Sequence, residues 1–364
     1  MNQLEKVLLV PAAGQSTRYG LNRPKFLLQH PRGGTMLEHS ITGLENLSPE
    51  TVDRIVVVTL SEHFEGVDAN QIRSRLESSV GVPVEFFFLD APTTSVVETI
   101  SQFLHGQEQD MQLMIKDSDN LVRADLLEMS RFNFGMAFAS LVDFPEVVAH
   151  NKSFLEMGPG NVIFNIVEKQ IISERISVGL TKFGSSSDFL QASLLLGAVS
   201  SEIYISDLVR VLLSQGVDFY ALKATAYEDW GTLKDWLDYV ARFQTLFIDI
   251  DGIISQNMSP IAIEKNWSDF KGIEENTEFL LELQQKGKTQ FVFVTARGEP
   301  FRENLLASLN GIGFQDFQLV TGLLHSKRIL INDFAKTNPF PSAIAINISR
   351  NSSDLKLYLE RLGD

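Results

Sequence analysis

Short apolar runs alternate with segments of helical periodicity along the first two thirds of the chain. Continuous runs such as KVLLVP (residues 6–11) and DRIVVVTL (residues 53–60) are typical of strands that are buried on both faces of a sheet. Helical patterns follow them, for example around residues 70–79 and 95–105. Strands that alternate with helices in this way predict an α/β fold built on a parallel sheet.

The alternation restarts at TLFIDIDG (residues 245–252), an apolar strand that ends in two aspartates. A helical pattern over residues 235–242 leads directly into this strand, and no sequence typical of a flexible linker precedes it. We therefore predict two domains, residues 1–243 and 244–364. The second is small for a Rossmann-like domain and leaves little room for insertions.

Composition and charge narrow the functions open to the chain. Of its 364 residues, 44% are hydrophobic and 21% are charged, which excludes wholesale disorder and a coiled coil. A net charge of −15 without a basic tract argues against nucleic-acid binding. The apolar runs are shorter than the roughly 20 residues of a membrane span, and the N-terminal residues lack the pattern of a signal peptide. The absence of cysteine excludes disulfides and thiolate metal sites and fits a cytoplasmic location.

A turn of small residues follows the first strand and reads VPAAGQSTRYG. Small side chains let backbone N–H groups approach an anion closely, and two cations follow them in the sequence. Such a loop suits a nucleoside triphosphate, although it is not a Walker A loop because no G-K-[ST] closes it. An ordinary strand-to-helix loop with surface cations is the alternative. The residues that we predict to bind nucleotide are Ala12, Ala13, Gly14, Ser16, Arg18 and Lys25.

Three further segments of the predicted first domain carry charged side chains. MIKDSDN places Asp117 and Asp119 at the end of a strand, where residues i and i+2 point the same way and can hold Mg²⁺. NIVEKQ supplies Glu168 and Lys169, and YEDWGT supplies Asp229. Each segment has an ordinary alternative, namely a solvated strand end, a surface ion pair and a helix N-cap.

In this order, AAGQSTR, RPKF, KDSDN, VEKQ and DWGT resemble the sugar-phosphate nucleotidyltransferases of the GT-A-like α/β fold over residues 4–240. Members of that family transfer a nucleotidyl group from an NTP to a sugar 1-phosphate and release pyrophosphate. The resemblance implies that Gly14 and Ser16 cradle the triphosphate. It also implies catalytic roles for Arg18 at the leaving pyrophosphate and for Lys25 at the reacting phosphate.

The same resemblance implies a metal and the contacts of the acceptor. Mg²⁺, with Mn²⁺ as the alternative ion, would be held by Asp229 and by either Asp119 or Asp117. Glu168 would contact the sugar, and Lys169 would contact its phosphate. DAPTTSVVET stands where the family usually offers a glutamine and a glycine to the base and sugar, so the base is not predicted.

A second group of chemical residues begins at FIDIDG. Asp249 can attack a phosphoryl group to form an aspartyl phosphate, and Asp251 can protonate the leaving oxygen and later activate water. A Mg²⁺ ion between them would offset their repulsion of the phosphate. FVFVTARG places the Thr295 hydroxyl at another strand end, and HSKRILINDF supplies Lys327 as a cation and Asp333 as a further metal ligand.

This second pattern resembles the haloacid dehalogenase (HAD) superfamily of phosphatases over residues 245–362. FIDIDG and TAR match its first two motifs. Lys327 lies only six residues before Asp333, so Lys336 is an alternative cation, and Asn332 stands where an acid is common. The loops near residues 253–272 predict little or no cap. A catalytically inactive domain is the alternative to a phosphatase.

The sequence therefore predicts a bifunctional enzyme with a GT-A-like Rossmannoid nucleotidyltransferase domain and a small Mg²⁺-dependent HAD-like phosphatase domain. Both would act in one pathway of surface-polysaccharide synthesis, such as that of a capsule. The partners would be an NTP and a sugar phosphate, and homo-oligomerisation stays open. The alternative functions are a GT-A glycosyltransferase, with KDSDN as its metal motif, and a non-catalytic nucleotide-binding scaffold.

Overall fold

The structure is a computed structural model that describes residues 4–14, 24–197, 203–256, 270–332 and 343–362. It divides into two compact units, Met1–Val240 and Ala241–Asp364. The sequence places the domain boundary after residue 243, and the functional assignment of the two domains stays a prediction. None of the helices in the described ranges combines the length and apolar character that crossing a bilayer requires.

Within its described residues, the first unit contains a nine-stranded mixed sheet and a separate two-stranded sheet. Nearly all of these strands are apolar runs whose side chains are buried on at least one face. In chain order, the strands are β1 (Glu5–Pro11), β2 (Arg54–Leu60), β3 (Val84–Leu89), β4 (Met111–Lys116), β5 (Asn120–Arg123), β6 (Gly135–Ser140), β7 (Ser153–Met157), β8 (Val162–Glu168), β9 (Arg175–Phe183), β10 (Phe219–Lys223) and β11 (Ala226–Asp229).

The nine-stranded sheet has the order β3-β2-β1-β4-β9-β6-β10-β8-β7. Strands β1 to β4 are parallel. Strand β9 is antiparallel to both β4 and β6, so the sheet is mixed rather than parallel as the sequence predicted. The chain moves from β1 outward to β2 and β3 and then places β4 on the other side of β1. The carboxyl ends of β1 and β4 therefore form a topological switch point, where α/β folds bind their ligands.

Helices cover both faces of this sheet. They are α1 (Met36–Thr42), α2 (Ala69–Val80), α3 (Val96–His105), α4 (Leu126–Ser130), α5 (Ser186–Leu196), α6 (Ile205–Ser214) and α7 (Leu233–Val240). Val7 and Leu9 of β1 lie in one apolar cluster and Leu8 and Val10 in another, because successive residues of a strand point to opposite faces. Helices α3, α5 and α6 contribute to the first cluster, and α1, α2 and α4 contribute to the second.

Helix α1 is shorter than its sequence pattern predicts, since the pattern extends over residues 35–47. It begins with a capping box in which Thr35 and Glu38 exchange hydrogen bonds between side chain and backbone. It ends before Gly43, where a Cβ would lie 2.5 Å from the Leu121 side chain. The missing side chain therefore allows the end of α1 to approach β5 closely, which places Ser40 of α1 beside the turn that precedes β5.

Within its described residues, the second unit is built on a three-stranded parallel sheet in which β13 (Thr289–Val294) lies between β12 (Gln244–Asp249) and β14 (Gln318–Val320). Ile248 of β12 and Phe293 of β13 lie in its apolar core, together with Leu280 and Leu309 of two packed helices. A parallel sheet with helices fits the predicted Rossmann-like unit, and the HAD assignment stays a prediction. Its elements are β12 (Gln244–Asp249), α8 (Glu274–Gln285), β13 (Thr289–Val294), α9 (Arg302–Ile312), β14 (Gln318–Val320) and α10 (Leu355–Glu360).

Candidate functional site

The turn after β1 lies at the topological switch point of the first unit. The Ala12 amide donates to the Val58 carbonyl at 2.7 Å, so it continues the sheet and does not point to a ligand. Ala12 and Ala13 are buried, whereas Gly14 is exposed, and a Cβ on Gly14 would meet no atom within 4 Å. Of the described turn, Gly14 thus offers the most open backbone. The predicted nucleotide-binding residues Ser16 and Arg18 lie outside the described residues.

The predicted acidic strand end is a turn in the structure. Strand β4 ends at Lys116 and β5 begins at Asn120, so Asp117 and Asp119 occupy the connection between two strands. The expectation that residues i and i+2 of a strand face one way therefore has no basis here, because the chain has left the extended conformation. The two carboxylates have different surroundings, which separates their roles.

Asp117 lies against the backbone of β9. Its amide donates to the Gly179 carbonyl at 2.8 Å, and a Cβ built on Gly179 would lie 2.1 Å from the Asp117 carboxylate. Gly179 has a φ of +73°, which glycine adopts without strain. Burial, reinforced by the charge of Asp119, raises the pKa of Asp117 to about 6. Asp117 is thus packed into the sheet and is the less available of the two carboxylates.

Asp119 is brought next to Asp229 by the two-stranded sheet. Strands β5 and β11 are antiparallel with Asn120 opposite Asp229, and the Trp230 amide donates to the Asp119 carbonyl at 3.0 Å. Gly231 lies next to both carboxylates: a Cβ there would be 3.2 Å from Asp229 Oδ1 and 3.8 Å from Asp119 Oδ2. The missing side chain leaves a small space that one oxygen of each carboxylate borders.

The sequence left two roles open for the DWGT segment, a carboxylate that holds a metal and a helix N-cap. In the structure, different residues of the segment are placed for these roles. The Thr232 hydroxyl accepts from the Asp235 amide at 3.2 Å, and the Asp235 carboxylate accepts from the Thr232 amide at 3.0 Å. Thr232 therefore caps α7. Asp229 accepts only a long bond of 3.2 Å from the Gly231 amide in this turn and keeps its carboxylate directed to the space beside Asp119.

A lysine is paired with each of these two carboxylates. Lys25 contacts Asp119 and also donates to the Gly231 carbonyl at 3.4 Å. Lys152 lies 2.6 Å from Asp229 and donates to the Tyr227 hydroxyl at 2.9 Å. Lys152 is nearly buried, with 14% of its side chain exposed. Two carboxylates and two ammonium groups thus lie together around Gly231.

The pairs shift the protonation of these groups in favour of their charged forms. Burial alone would raise the pKa of Asp119, but Lys25, with smaller contributions from Lys152 and Lys116, holds it below its usual range. Burial would likewise lower the pKa of Lys152, but Tyr227 and Asp229 hold it above its usual range. Asp119 and Lys152 are therefore charged at neutral pH.

Lys116 fixes the turn that carries Asp117 and Asp119. Its fully buried ammonium group donates to Ser40 Oγ at 2.8 Å, to the Asp117 carbonyl at 2.7 Å, to the Asn120 carbonyl at 3.2 Å and to Asn120 Oδ1. Burial lowers the pKa of Lys116 to about 8, against the opposing influence of Asp117 and Asp119. The ammonium group thus links α1, the turn and β5.

Glu168 and Lys169 lie beside the Lys152 pair, across the β7–β8 ladder. The Lys169 amide donates to the Lys152 carbonyl at 2.9 Å. The Glu168 carboxylate accepts from Ser153 and from Ser206, the latter at 2.8 Å. Lys169 is exposed, contacts the Tyr204 hydroxyl and has a left-handed φ of 55°. The two predicted acceptor-binding residues therefore share one ladder end with Lys152.

Sequence reasoning missed Lys116, Asn120 and Lys152. Lys116 and Asn120 stand within the KDSDN motif, and a lysine that ends an apolar strand predicts a buried charge surrounded by acceptors. Lys152 carries no such signal, because PEVVAHNKSF has neither a motif nor a periodicity that distinguishes it. Lys152 lies just before β7 and Asp229 ends β11, so only the tertiary fold brings their charged groups together.

The second unit has its own group of charged side chains at the carboxyl ends of β12 and β13. The Asp251 carboxylate accepts from Thr295 Oγ1 at 2.9 Å and from two nitrogens of Arg297 at 2.7 and 3.1 Å. Both Thr295 and Arg297 are buried. Asp249 lies 3.2 Å from Arg328. Burial raises the pKa of Asp249, and Arg328 opposes this shift.

The structure changes two predictions for this second group. The sequence predicts that Thr295 donates to a phosphoryl oxygen, but its hydroxyl donates to Asp251. Arg328, which the sequence does not single out, lies 3.2 Å from Asp249, and both it and the predicted Lys327 are exposed. Arg297 is not among the predicted residues, although it is the arginine of the TAR motif. The predicted ligand Asp333 and the alternative cation Lys336 lie outside the described residues.

No family model matches the chain, and no curated protein matches it in sequence. Solved structures resemble it. The nucleoside-diphosphate-sugar pyrophosphorylase from Vibrio cholerae RC9 is 19% identical, covers 64% of this chain and 98% of its own, and has a TM-score of 0.52. The inositol-1-phosphate CTP transferase from T. maritima is 13% identical, covers 65% of this chain and 93% of its own, and has a TM-score of 0.48.

The likeness to the V. cholerae protein shows the fold. The chain contains a mixed α/β fold that resembles Rossmannoid nucleotidyltransferase domains. The matched share of the chain is close to the share that lies in the first unit. A phosphatase fold for the second unit gains no support from this likeness and stays a prediction.

Proposed function

We propose that the first unit transfers a nucleotidyl group from an NTP to the phosphate of a sugar or a sugar-like alcohol and releases pyrophosphate. The observation that carries this proposal is the arrangement of Asp119 and Asp229 beside Gly231, with Lys25 and Lys152 next to them. This group follows the carboxyl end of β4, at the switch point where α/β sheets bind ligands. The likeness in fold to a nucleoside-diphosphate-sugar pyrophosphorylase agrees with it.

The space at Gly231 fits a divalent cation that a triphosphate accompanies. Among the residues that the structure describes, no three acidic or histidine side chains are arranged to hold a metal ion. Mg²⁺ at nucleotide sites commonly takes one or two carboxylates and completes its shell with phosphate oxygens and water. Asp119 and Asp229 supply these two carboxylates, and bound Mg²⁺ would offset phosphate charge at the α-phosphate.

The side chains of this chain would act by position and charge. Two phosphates repel each other as they approach, so the ammonium groups of Lys25 and Lys152 lower the barrier by offsetting that charge. Glu168 and Lys169 lie next to Lys152 and would hold the acceptor. No side-chain nucleophile is required, because the acceptor phosphate itself attacks the α-phosphorus.

The function is tested by a screen of NTP and sugar-phosphate pairs with Mg²⁺, read by mass spectrometry. We expect at least one pair to yield an NDP-sugar and pyrophosphate in equal amounts. If no pair releases pyrophosphate while an NDP-sugar is consumed as a glycosyl donor, the chain is a glycosyltransferase. Binding of NTP without any turnover would instead favour a non-catalytic scaffold.

Lys116 provides a test of how the carboxylates are positioned. Lys116→Met removes a donor to the Asn120 carbonyl and side chain and one of the two donors to the buried Asp117 carbonyl, the other being Ser40 Oγ. We therefore expect it to lower the free energy of unfolding by about 2–4 kcal/mol. Nucleotidyl transfer should fall at least tenfold in folded protein. Urea unfolding and pyrophosphate release, measured below the unfolding transition, check the two effects.

Lys182 offers a matched control for this substitution. It is also fully buried and donates to carbonyls at the end of α4 and just after it, those of Ser130 at 3.0 Å and Phe132 at 2.6 Å. Lys182→Met should destabilise the protein to a similar degree and leave transfer by the folded fraction within twofold of wild type. An equal loss of transfer in both variants would show that Lys116 acts only through stability.

For the second unit, we propose phosphate-monoester hydrolysis through Asp249. The observation that favours it is the half-exposed Asp249 carboxylate at the end of β12 beside Arg328. Asp249 would attack the phosphorus and displace the alcohol, Arg328 would offset the phosphoryl charge, and water would then cleave the aspartyl phosphate. In the described residues Thr295 and Arg297 donate to the two Asp251 oxygens, so the predicted Mg²⁺ ion would have to compete with them there, and no step here depends on that ion.

A shared pathway for the two units is part of this proposal. Phosphate removal and nucleotide activation would then act on the same sugar or alcohol, which supports the surface-polysaccharide role implied by the sequence resemblance. Its test is whether the product of one unit is a substrate or product of the other. If the phosphatase substrate shares no carbon skeleton with the nucleotidyl acceptor, the common pathway is excluded.

A further inference from the structure

The two carboxylates beside Gly231, those of Asp119 and Asp229, are each paired with a lysine of the protein itself. Lys25 is paired with Asp119, and Lys152 is paired with Asp229 at 2.6 Å. At least three quarters of each of these four side chains is shielded from solvent. In such surroundings water screens charge weakly, so the pairs are stronger than pairs on the surface.

A divalent cation and the two ammonium groups cannot share these carboxylates without cost. The space at Gly231 borders Asp229 Oδ1 and Asp119 Oδ2. Lys25 contacts that same oxygen of Asp119, and Lys152 contacts the other oxygen of Asp229, Oδ2. Positive charges at contact distance repel each other in a weakly screened site. A cation that binds there must therefore compete directly with Lys25 for Asp119 Oδ2, and its charge weakens the pair of Lys152 with Asp229 by repulsion. A released ammonium group then needs an anionic partner.

Lys152 has an anchor that keeps it at the site when this happens. Its ammonium group also donates to the Tyr227 hydroxyl at 2.9 Å and lies 5.5 Å from the centre of the Tyr227 ring. Tyr227 is buried, so its position does not depend on Asp229. Across the β7–β8 ladder, the Lys169 amide donates to the Lys152 carbonyl, which places Lys152 on the side of the predicted acceptor residues.

We propose that Lys152 is an exchangeable counter-ion, which holds Asp229 in the free protein and transfers to a phosphate oxygen of the acceptor when a divalent cation takes the carboxylate. Lys25 does the same at Asp119 for the nucleotide. This proposal rests on the proposed function, because that function requires a divalent cation and a polyphosphate to bind together at Gly231. Binding of the cation and binding of phosphate are then coupled. The cation releases the lysine for the phosphate, and the phosphate draws the lysine away from the carboxylate that the cation needs.

The exchange predicts that removal of Lys152 strengthens cation binding. In Lys152→Met, Asp229 no longer has a competing ammonium group, so we expect the affinity of the free protein for Mn²⁺ to rise at least fivefold. The affinity for metal-free inorganic pyrophosphate should fall by a similar factor, since an ammonium group for phosphate is lost. Titration calorimetry and the electron paramagnetic resonance signal of free Mn²⁺ measure both with the full chain.

Controls separate this role from a structural one. Lys152→Arg keeps the charge and should retain the wild-type Mn²⁺ affinity, and Lys234→Met removes an exposed lysine and should change neither affinity. A Lys152 that only supports the fold would give weaker Mn²⁺ binding when removed, which overturns the exchange. An unchanged Mn²⁺ affinity in a folded Lys152→Met protein overturns it as well.

Asp229→Asn distinguishes failure of this inference from failure of the proposed function. If Asp229→Asn abolishes Mn²⁺ binding but Lys152→Met does not strengthen it, the cation site stands and the exchange is wrong. If neither wild type nor any variant binds Mn²⁺, with or without pyrophosphate, both the exchange and the cation site at Gly231 are wrong. Mn²⁺ binding that appears only in Lys152→Met supports the exchange in its strongest form.

Discussion

Asp229→Asn is expected to lower the rate of pyrophosphate release from NTP and sugar phosphate by about 10³-fold or more. The amide keeps the size of the side chain but loses the charge that a cation at Gly231 requires. A single electrostatic group of this kind is worth on the order of 10²–10³ in rate, and the loss of the metal would add to it. The neutral amide would also no longer offset the charge of the nearly buried Lys152, which leaves that ammonium group uncompensated.

Stopped assays with the pyrophosphate-yielding pair, at saturating Mg²⁺, measure this loss. Asp238→Asn is the matched control, because Asp238 lies exposed on α7 and contacts Lys234 rather than a residue of the β5–β11 sheet. It should retain transfer within twofold. Retention of more than a tenth of the wild-type rate in folded Asp229→Asn would falsify the role of this carboxylate.

The second large effect is expected for Asp249→Asn, which should abolish phosphate release from monoesters by the second unit. The amide cannot form the acyl phosphate, so the loss should exceed about 10³-fold. Pyrophosphate release by the first unit should stay within twofold of wild type. Both products are measured in one reaction series, by colorimetric phosphate detection and by mass spectrometry of the nucleotide sugar.

Asp316→Asn provides the control for Asp249→Asn. Asp316 is exposed and has a φ of 51°, a conformation that asparagine adopts as readily as aspartate. This control should change neither activity. If Asp249→Asn reduces both activities equally, the two sites are not independent. If wild type releases no phosphate from any monoester, the second unit is the inactive domain that the sequence left as an alternative.

The strands of the first unit could be predicted from apolar runs, because a short continuous run such as RIVVVTL is typical of a strand that is buried on both faces. Whether each strand is parallel or antiparallel to its neighbours could not be predicted from these runs. Strand β9 is rich in apolar residues like β2, yet it lies antiparallel between β4 and β6, and only tertiary pairing decides this. The sequence pattern also extends α1 too far, although the glycine that follows the helix, Gly43, is a common local signal of a helix C-terminus.

The candidate site was predictable to the extent that its residues fall in motifs. Asp119, Asp229 and Lys25 stand in segments that the sequence singles out, and the structure brings these three together. Whether they bind the predicted ligands stays a prediction. Lys152 was not predictable, because its contact with Asp229 joins two segments that lie far apart in the chain and that no sequence motif relates. In the second unit, the sequence predicts Lys327, or Lys336 as the alternative, as the cation. It does not single out Arg328, which contacts Asp249 from an irregular segment.

The pairing of β5 with β11 has a consequence for synthesis of the protein. The two carboxylates at Gly231 come from segments that lie far apart in the chain, and they meet only through this narrow ribbon. A nascent polypeptide that emerges from the ribosome can form β1 to β4 early. It contains Asp119 but lacks Asp229 until β11 has emerged. Truncated or stalled translation products would therefore lack the complete acidic pair.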